Sequence, residues 1–471
     1  MSNFKLAWRN LWRNRRRTMI TSASIFFAVV FALVMRSLQL GSYDHMYKNA
    51  IDSYSGYIQV QHPGFWDEKS VDHSFPYTPE LDQQVLADEN VMATIPRFES
   101  FALASGGPQT KGVLVMGVDP EKENSLSKIT EKMVKYRLSP ESVEKIREDP
   151  DLPDQIKELA SLFMNSAYSH ASRLQLDLGI RESEISQWMP VIRKYTKFEN
   201  GTIKMGEPGA WLGENLASTL QLEIGDTIVL IGQGYHASTA AGKYEIKGIV
   251  KIPLPDIDHR IVYLPLDICQ ELFNAENNIT SLALAVENNK DKAIEATVKR
   301  LTDQVSGKQR IIEWREMNEV MVSQMDADNK SGQIMLGILY LVIAFGVFGT
   351  VLMLTAERKR EFGVLVAIGM QKKKLSSVMT LEMLLIGFMG MMAGVAVGTF
   401  VILYGVEHPI LFKGETALLF EGYGMEPKMV FWGIGTYYIW QILIVLCMVL
   451  AAIGYPIRKI FGLKVVTALR A

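Results

Sequence analysis

The chain has 471 residues, 48% of them apolar, and its 49 Lys and Arg nearly balance 51 Asp and Glu for a net charge of −2. That balance gives no overall pull toward nucleic acid, so the placement of charge matters more than its sum. Two cysteines, Cys269 and Cys447, are too few for a disulfide-built scaffold.

The first element is basic and amphipathic. In residues 1–17, Phe4, Trp8, Leu11 and Trp12 recur at helical spacing, and Lys5, Arg9, Arg13 and Arg16 occupy the opposite face. This predicts an interfacial helix with aromatics at headgroup depth and arginines toward anionic lipid. The same charges also orient the apolar run that follows, residues 18–40. That run is longer than the apolar part of a signal peptide and ends in Arg36, Gln39 and Tyr43 rather than a small-residue cleavage site.

Three further runs, residues 332–355, 378–406 and 430–455, reach the ~20 residues that a membrane-crossing helix needs. Basic residues cluster before the first run, in the 356–377 loop (Arg358, Lys359, Arg360, Lys372, Lys373, Lys374) and in the 456–471 tail (Arg458, Lys459, Lys464, Arg470). The short 407–429 loop has only Lys413 and Lys428 against four glutamates. The positive-inside rule then places both termini and the 356–377 loop in the cytoplasm, and residues 41–331 and 407–429 outside. Cys269 and Cys447 fall in different compartments and cannot pair within one subunit.

Residues 41–331 are ordinary soluble sequence, about 290 residues, enough for one large domain or two smaller ones. Residues 57–61, 112–118 and 226–231 read as strands, as do 244–250, 260–264 and 281–286, while 266–273 and 290–304 read as helices. Between 121 and 198 the composition turns charged and helix-forming, which predicts a helical insertion between two β-rich halves. The fold class is therefore an α-helical membrane protein with four transmembrane helices and a large α+β extracytoplasmic domain inserted between helices 1 and 2.

The 356–377 loop is the most informative stretch. A cytoplasmic turn attracts basic residues for topological reasons alone, but this one also carries Phe362, Leu365, Val366 and Ile368, which would lie exposed unless something covers them. Gly363 and Gly369 permit a close approach or a sharp turn. In the third run, Gly387, Gly390, Gly394 and Gly398 clear side chains from one helix face, so that another helix can approach. Glu382 lies in the same run, and either snorkels, hydrogen-bonds or gates the bundle. Arg36 sits at the outer end of the first run as an interface anchor.

Chemistry-bearing motifs are missing. The nearest approach to a phosphate loop, Gly242-Lys243, has Ala237 where the first glycine belongs and Tyr244 where the hydroxyl belongs. The seven histidines show no metal-binding spacing, and Ser105-Gly106-Gly107 lacks the context of a nucleophile elbow. The expectation is a non-catalytic subunit.

Several segments resemble one family. Glu357, Arg358, Arg360, Glu361, Phe362 and Gly363, followed by Ala367 and Gly369, are similar to the most recognisable stretch of FtsX-like permeases of ABC transporters. Residues 211–217 with Leu220, Leu222, Gly225 and Asp226, then residues 244–250, Asp258, Val262-Tyr263 and Leu266, resemble that family's external domain. Tyr455-Pro456 through Ala468-Leu469-Arg470 resembles its ending. Pro253, Pro255 and the helical insertion depart from the pattern.

The resemblance implies that Glu357, Arg358, Arg360, Glu361, Phe362, Gly363, Leu365, Ala367 and Gly369 form a coupling helix that docks in a groove of a cytoplasmic ATPase. Glu382 matches a glutamate of the family, and the neighbourhood of Arg36 lines the substrate entrance in its lipoprotein-releasing branch. ATP and magnesium would be bound by the partner, with no cofactor in this chain. The machine would be an ATPase dimer with two permease subunits, identical or homologous, in a bacterial inner membrane. It would drive the external domains by mechanotransmission and bind no nucleic acid. The implied cargo is a lipoprotein handed to a periplasmic carrier or adaptor. Tripartite efflux of drugs or peptides, and regulation of cell-wall hydrolases or antimicrobial-peptide sensing, are the rival roles.

Overall fold

The computed structural model describes residues 3–13, 15–305, 309–412, 416 and 428–463. Lys413, Lys464, Arg470, the tail segment 468–470 and most of the 407–429 loop, with Glu415, Glu421 and Glu426, lie outside the described residues, as does the side chain of Arg17. The described chain forms two compact units, one from parts of Met1–His45, Ser323–Ile410 and Lys428–Ala471, the other from parts of Met46–Val322 and Leu411–Pro427.

The first unit is helical. Helix α1 spans Asn3–Arg13, α2 Arg15–Ala50, α3 Glu319–Glu357, α4 Lys359–Ala367, α5 Lys372–Glu407 and α6 Thr436–Phe461. Helices α2, α3, α5 and α6 are long and apolar enough to cross a membrane. At 1.5 Å per residue the 36 residues of α2 and 39 of α3 measure about 54 and 58 Å. A bilayer core is ~30 Å thick, so both helices run well past the apolar runs 18–40 and 332–355. Polar residues such as Tyr43, Asp328 and Asn329 pair across these extensions and keep them helical. The fourth helix is displaced from its apolar run: residues 430–435 are not helical, and α6 starts at Thr436 after Gly435, whose backbone is extended. Trp432 N–H bonds to Ser37 C=O at 3.0 Å, and Ser37 Oγ returns a bond to Trp432 C=O at 2.6 Å, which holds that segment against α2 instead.

The four glycines of α5 serve two neighbours. A Cβ on Gly390 would meet the Ser22 carbonyl oxygen at 2.5 Å, and one on Gly394 the Val29 Cβ at 2.8 Å, so the backbones of α5 and α2 are in close contact there. Gly398 is looser, with Leu33 Cδ1 at 3.3 Å. Gly387 faces α6 instead, where a Cβ would come within 2.9 Å of Val449 Cγ1. At about 100° per residue Gly387 lies at the same angle around α5 as the other three, so it is its position along the helix that gives it a different neighbour. Ile25, Val29, Leu33, Met383, Val445 and Val449 are among the buried side chains that complete this core.

The second unit is built on a nine-stranded sheet. Its strands are β1 (Ile58–Gln61), β2 (Val91–Gly106), β3 (Gln109–Val118), β4 (Ala210–Gly213), β5 (Thr227–Gln233), β6 (Thr239–Val250), β7 (Ile261–Pro265), β8 (Ser281–Val286) and β9 (Arg310–Glu313). The order is β9-β1-β8-β2-β3-β7-β4-β6-β5, and β5 also pairs back onto β2, so six strands close on themselves while β8, β1 and β9 extend the other edge of β2. The 16-residue β2 is the hub, and its sequence does not announce a strand. Its Pro96, Arg97 and Glu99 break the apolar alternation that marks one, yet both charges are buried. Arg97 Nε and Nη2 make a side-on pair with Glu123 at 2.8 and 2.6 Å, and Tyr54 Oη donates to Glu99 at 3.1 Å. Burying Arg97 is tolerable because it is paired and hydrogen-bonded, and Glu99 is enclosed with the Tyr54 hydroxyl as donor.

That pair also redraws the insertion. Residues 121–133 belong to the sheet: Glu123 holds Arg97, and Ile129 and Met133 pack with Trp211 and Tyr263. A separate small core of Leu138, Ile146, Phe163, Leu174, Met189 and others occupies 138–192 and is formed by short helices, among them Pro140–Glu148, Asp154–Leu162 and Ile185–Thr196. It joins the sheet where Val134 N–H bonds to Ile249 C=O at 2.9 Å. Asp258 is a second buried anchor, fully enclosed and accepting 2.8 Å bonds from the backbone N–H of Asn215 and of Ile252. Burial pushes its carboxyl up to about 6 in spite of those two donors.

Candidate functional site

The chain between α3 and α5 turns back on itself in a short charged helix. Arg358 sits between α3 and α4 with φ −88° and ψ 1°, and Phe362 N–H bonds to its carbonyl at 2.9 Å, so α4 starts at once in a new direction. Gly369, at φ +100°, ends it in a conformation that side chains disfavour. Lys372 then begins α5, where a positive charge is poorly placed against the helix dipole. Its ammonium is used elsewhere: it donates to the carbonyls of Phe461 and Leu463 at 3.0 and 2.8 Å and so caps the end of α6.

The sequence-derived coupling residues divide into two sets. Glu357, Arg360, Glu361, Ala367 and Gly369 are exposed, Leu365 is half-buried, and Arg358, Phe362 and Gly363 are inside. Of Phe362, Leu365, Val366 and Ile368, which would lie exposed unless covered, Phe362 is covered within the chain itself. Phe362 is only 4% exposed because it packs into the helical core with Leu375 and Met379, whereas Ile368 is 79% and Val364 40% exposed. The outward apolar pair is thus Val364 and Ile368.

Arg358 does not present itself to a partner either. Its Nη1 contacts both oxygens of Glu382 at 2.7 and 2.6 Å, with both side chains almost wholly buried. Glu382 therefore neither snorkels nor stands alone: its charge is matched by the residue at the root of α4, and Asn10 Nδ2 of α1 reaches it at 3.5 Å. Glu361 pairs with Arg13 of α1 at 2.6 Å, but both are half-exposed, so that contact contributes at most ~1 kcal/mol. Breaking the buried pair by removing one partner costs ~3–5 kcal/mol, since the other charge is left uncompensated. Arg358–Glu382 is the strong link and Arg13–Glu361 the adjustable one.

Asn10 and Arg13 join the site without any motif that marks them in the sequence. They are three apart on α1, hence on one face, and Ala7 and Leu11 beside them are buried against α5. Leu6, Asn10 and Arg13 wall a cavity of about 660 Å³ whose other side is Arg358, Glu361 and Glu382. On the opposite side of α1, Phe4, Trp8 and Trp12 form an exposed aromatic row with ring centroids 6.5 and 6.2 Å apart.

Arg36 also has internal partners. Its Nη1 donates to Gln39 Oε1 at 2.7 Å and to Asn329 Oδ1 of α3 at 2.6 Å, while Tyr43 bonds to Asp328 and to Gln39. A Cβ on Gly332 would strike the Gln39 amide. Arg36 thus clamps α2 to α3, and a free headgroup anchor is not what the geometry gives. Among the described residues no three His, Cys, Asp or Glu side chains gather as a metal site.

Fold and joint together define a multi-pass membrane protein with four spanning helices, a large α/β domain between the first two, and a charged re-entrant joint between the second and third. Residues 334–465 match the family model described as FtsX-like permease C-terminal. Among curated proteins the chain is similar to the lipoprotein-releasing system transmembrane protein LolC of Xylella fastidiosa strain 9a5c, 22% identical over 213 residues, covering 44% of this chain and 50% of that one. It is also similar to LolC of Neisseria meningitidis serogroup B, 20% identical over 208 residues, covering 43% and 49%. The chain spans about half the length of these relatives. Among solved structures, the periplasmic region of MacB from Actinobacillus actinomycetemcomitans aligns with 56% of this chain and 91% of its own, at 10% identity and a TM-score of 0.29. The extracellular domain of the ABC-type transporter YknZ from Gram-positive bacteria covers 55% and 99%, at 9% identity and a TM-score of 0.27.

Proposed function

We propose that this chain is the membrane subunit of an ABC transporter that works by mechanotransmission in a bacterial inner membrane, with its termini and α4 in the cytoplasm. ATP and magnesium are bound by a separate ATPase that docks on α4, and two permease subunits assemble with two ATPases. The observation that carries this reading is the construction of α4: a short helix fixed at its root by the buried Arg358–Glu382 pair and presenting Val364 and Ile368 outward. A surface built that way receives a load and passes it to α3 and α5 without bending.

The similarity to LolC proteins favours lipoprotein release as the task, with cargo passed from the inner membrane toward a periplasmic carrier. The domain between α2 and α3 would do the lifting, because both helices that flank it end at the joint or at α1. The test is co-purification from native membranes. Val364→Asp with Ile368→Asp leaves the core untouched and is expected to remove the ATPase from the purified chain. An ATPase retained at full yield would overturn the docking assignment. Reconstituted with ATP, the complete complex is expected to transfer a lipid-anchored protein to a soluble carrier; ATP turnover with no transfer would contradict lipoprotein release.

A further inference from the structure

A guanidinium has two edges, and Arg358 uses only one. Both contacts to Glu382 are made by Nη1. Nε and Nη2, the edge whose two parallel N–H groups match a carboxylate or phosphate, are buried and have no hydrogen-bond partner among the described residues. Glu361 Oε2 stands 3.9 Å from Nε, beyond hydrogen-bond reach, and is held at 2.6 Å by Arg13. A buried, unsatisfied donor costs ~1–3 kcal/mol, more when charged, so two on one cation mark a place where an acceptor belongs.

The surroundings indicate which acceptor. Arg358 lines the 660 Å³ cavity, and so do Arg13 and Arg360 together with the carboxylates Glu357, Glu361 and Glu382, while Leu6, Met370 and Val378 form part of an apolar wall. The cavity lies where α1, whose aromatic row suits the membrane interface, meets the start of α5. A ligand for such a site has a singly charged, bidentate oxygen face and a long apolar body. We propose that the cavity binds one phospholipid of the cytoplasmic leaflet, its phosphodiester oxygens on Nε and Nη2 of Arg358 and an acyl chain along the Leu6 and Met370 side. The lipid then completes the joint between α4, α1 and α5. This rests on the membrane orientation given above, but not on which ATPase docks or what cargo is moved.

The test is native mass spectrometry of the full chain after reconstitution in vesicles of phosphatidylethanolamine and phosphatidylglycerol, 7:3, and release into mild detergent. Wild type is expected to retain one phospholipid per chain through stepwise delipidation. Arg358→Lys keeps a cation for Glu382 but removes the two-pronged edge, and is expected to lower that occupancy at least tenfold. Leu6→Trp, which fills the cavity and leaves Arg358 intact, is expected to do the same, and carries the test if Arg358→Lys melts at a much lower temperature. Equal lipid retention in wild type and both variants would overturn the proposal. So would a wild type that retains no lipid, as expected if a partner's carboxylate fills the site. A delipidated wild type that binds inorganic phosphate as readily as lipid would also overturn it. ATPase co-purification, scored in the same preparations, reports separately on the docking assignment.

Discussion

At the residue scale two buried acids have different solutions. Glu382 is matched by Arg358, and the pair is predicted to act as a unit. Glu382→Leu and Arg358→Met are each expected to destabilise the chain by ~3–5 kcal/mol, read as denaturation in detergent, whereas the double variant Arg358→Met with Glu382→Leu recovers most of that loss. Additive losses would show that the two side chains are not coupled. Asp258 has no cation in contact, only two backbone donors, and burial raises its native value to about 6 against ~3.9 in an unfolded chain. Between those values the native state holds the proton and the unfolded state does not, so this group stabilises more as pH falls from about 6 to 4, by up to about 3 kcal/mol. Thermal melts of wild type and Asp258→Asn should therefore diverge in favour of wild type as pH drops from 7 to 5; a constant difference would contradict the assignment. Neither partner is legible in the sequence. Glu382 stands out as a charge within an apolar run, but its match at Arg358 is 24 positions away across a turn, and nothing local marks Asp258 as enclosed.

At the element scale, the four long helices can be read from composition because a bilayer imposes a length and a chemistry on each. Their ends cannot, since polar residues continue α2 and α3 past the apolar stretch on the strength of pairings such as Arg36 with Asn329. Short apolar strands such as β7 and β8 are legible for the same reason as the spans. The longest strand is hidden: Arg97 and Glu99 are acceptable in β2 only because Glu123 and Tyr54 arrive from elsewhere. The α5 glycines give a graded prediction. Gly390→Ala and Gly394→Ala push against α2 backbone or Cβ atoms and should each cost ~1–3 kcal/mol, while Gly398→Ala, whose tightest contact is the Leu33 Cδ1 at 3.3 Å, should be nearly silent. Thermal melts in detergent give the order, and Gly398 ranking with the other two would contradict it.

At the scale of the whole molecule, the charged joint is where sequence and structure agree on place and differ on orientation. Its motif residues stand together, but Arg358 and Phe362 are turned inward to fix the helix, and Val364 and Ile368 are left facing outward. A motif read as a contact surface is therefore partly a foundation. The most direct measurement is site-specific cross-linking from that outer face in native membranes, using Ile368→Cys in a Cys447→Ala background, Cys269 being buried. The account predicts a cross-linked species containing this chain and an ATP-binding protein, lost when Phe362→Cys replaces Ile368→Cys. Failure of Ile368→Cys to cross-link to an ATP-binding protein that still co-purifies, or an equal yield from Phe362→Cys, would contradict it.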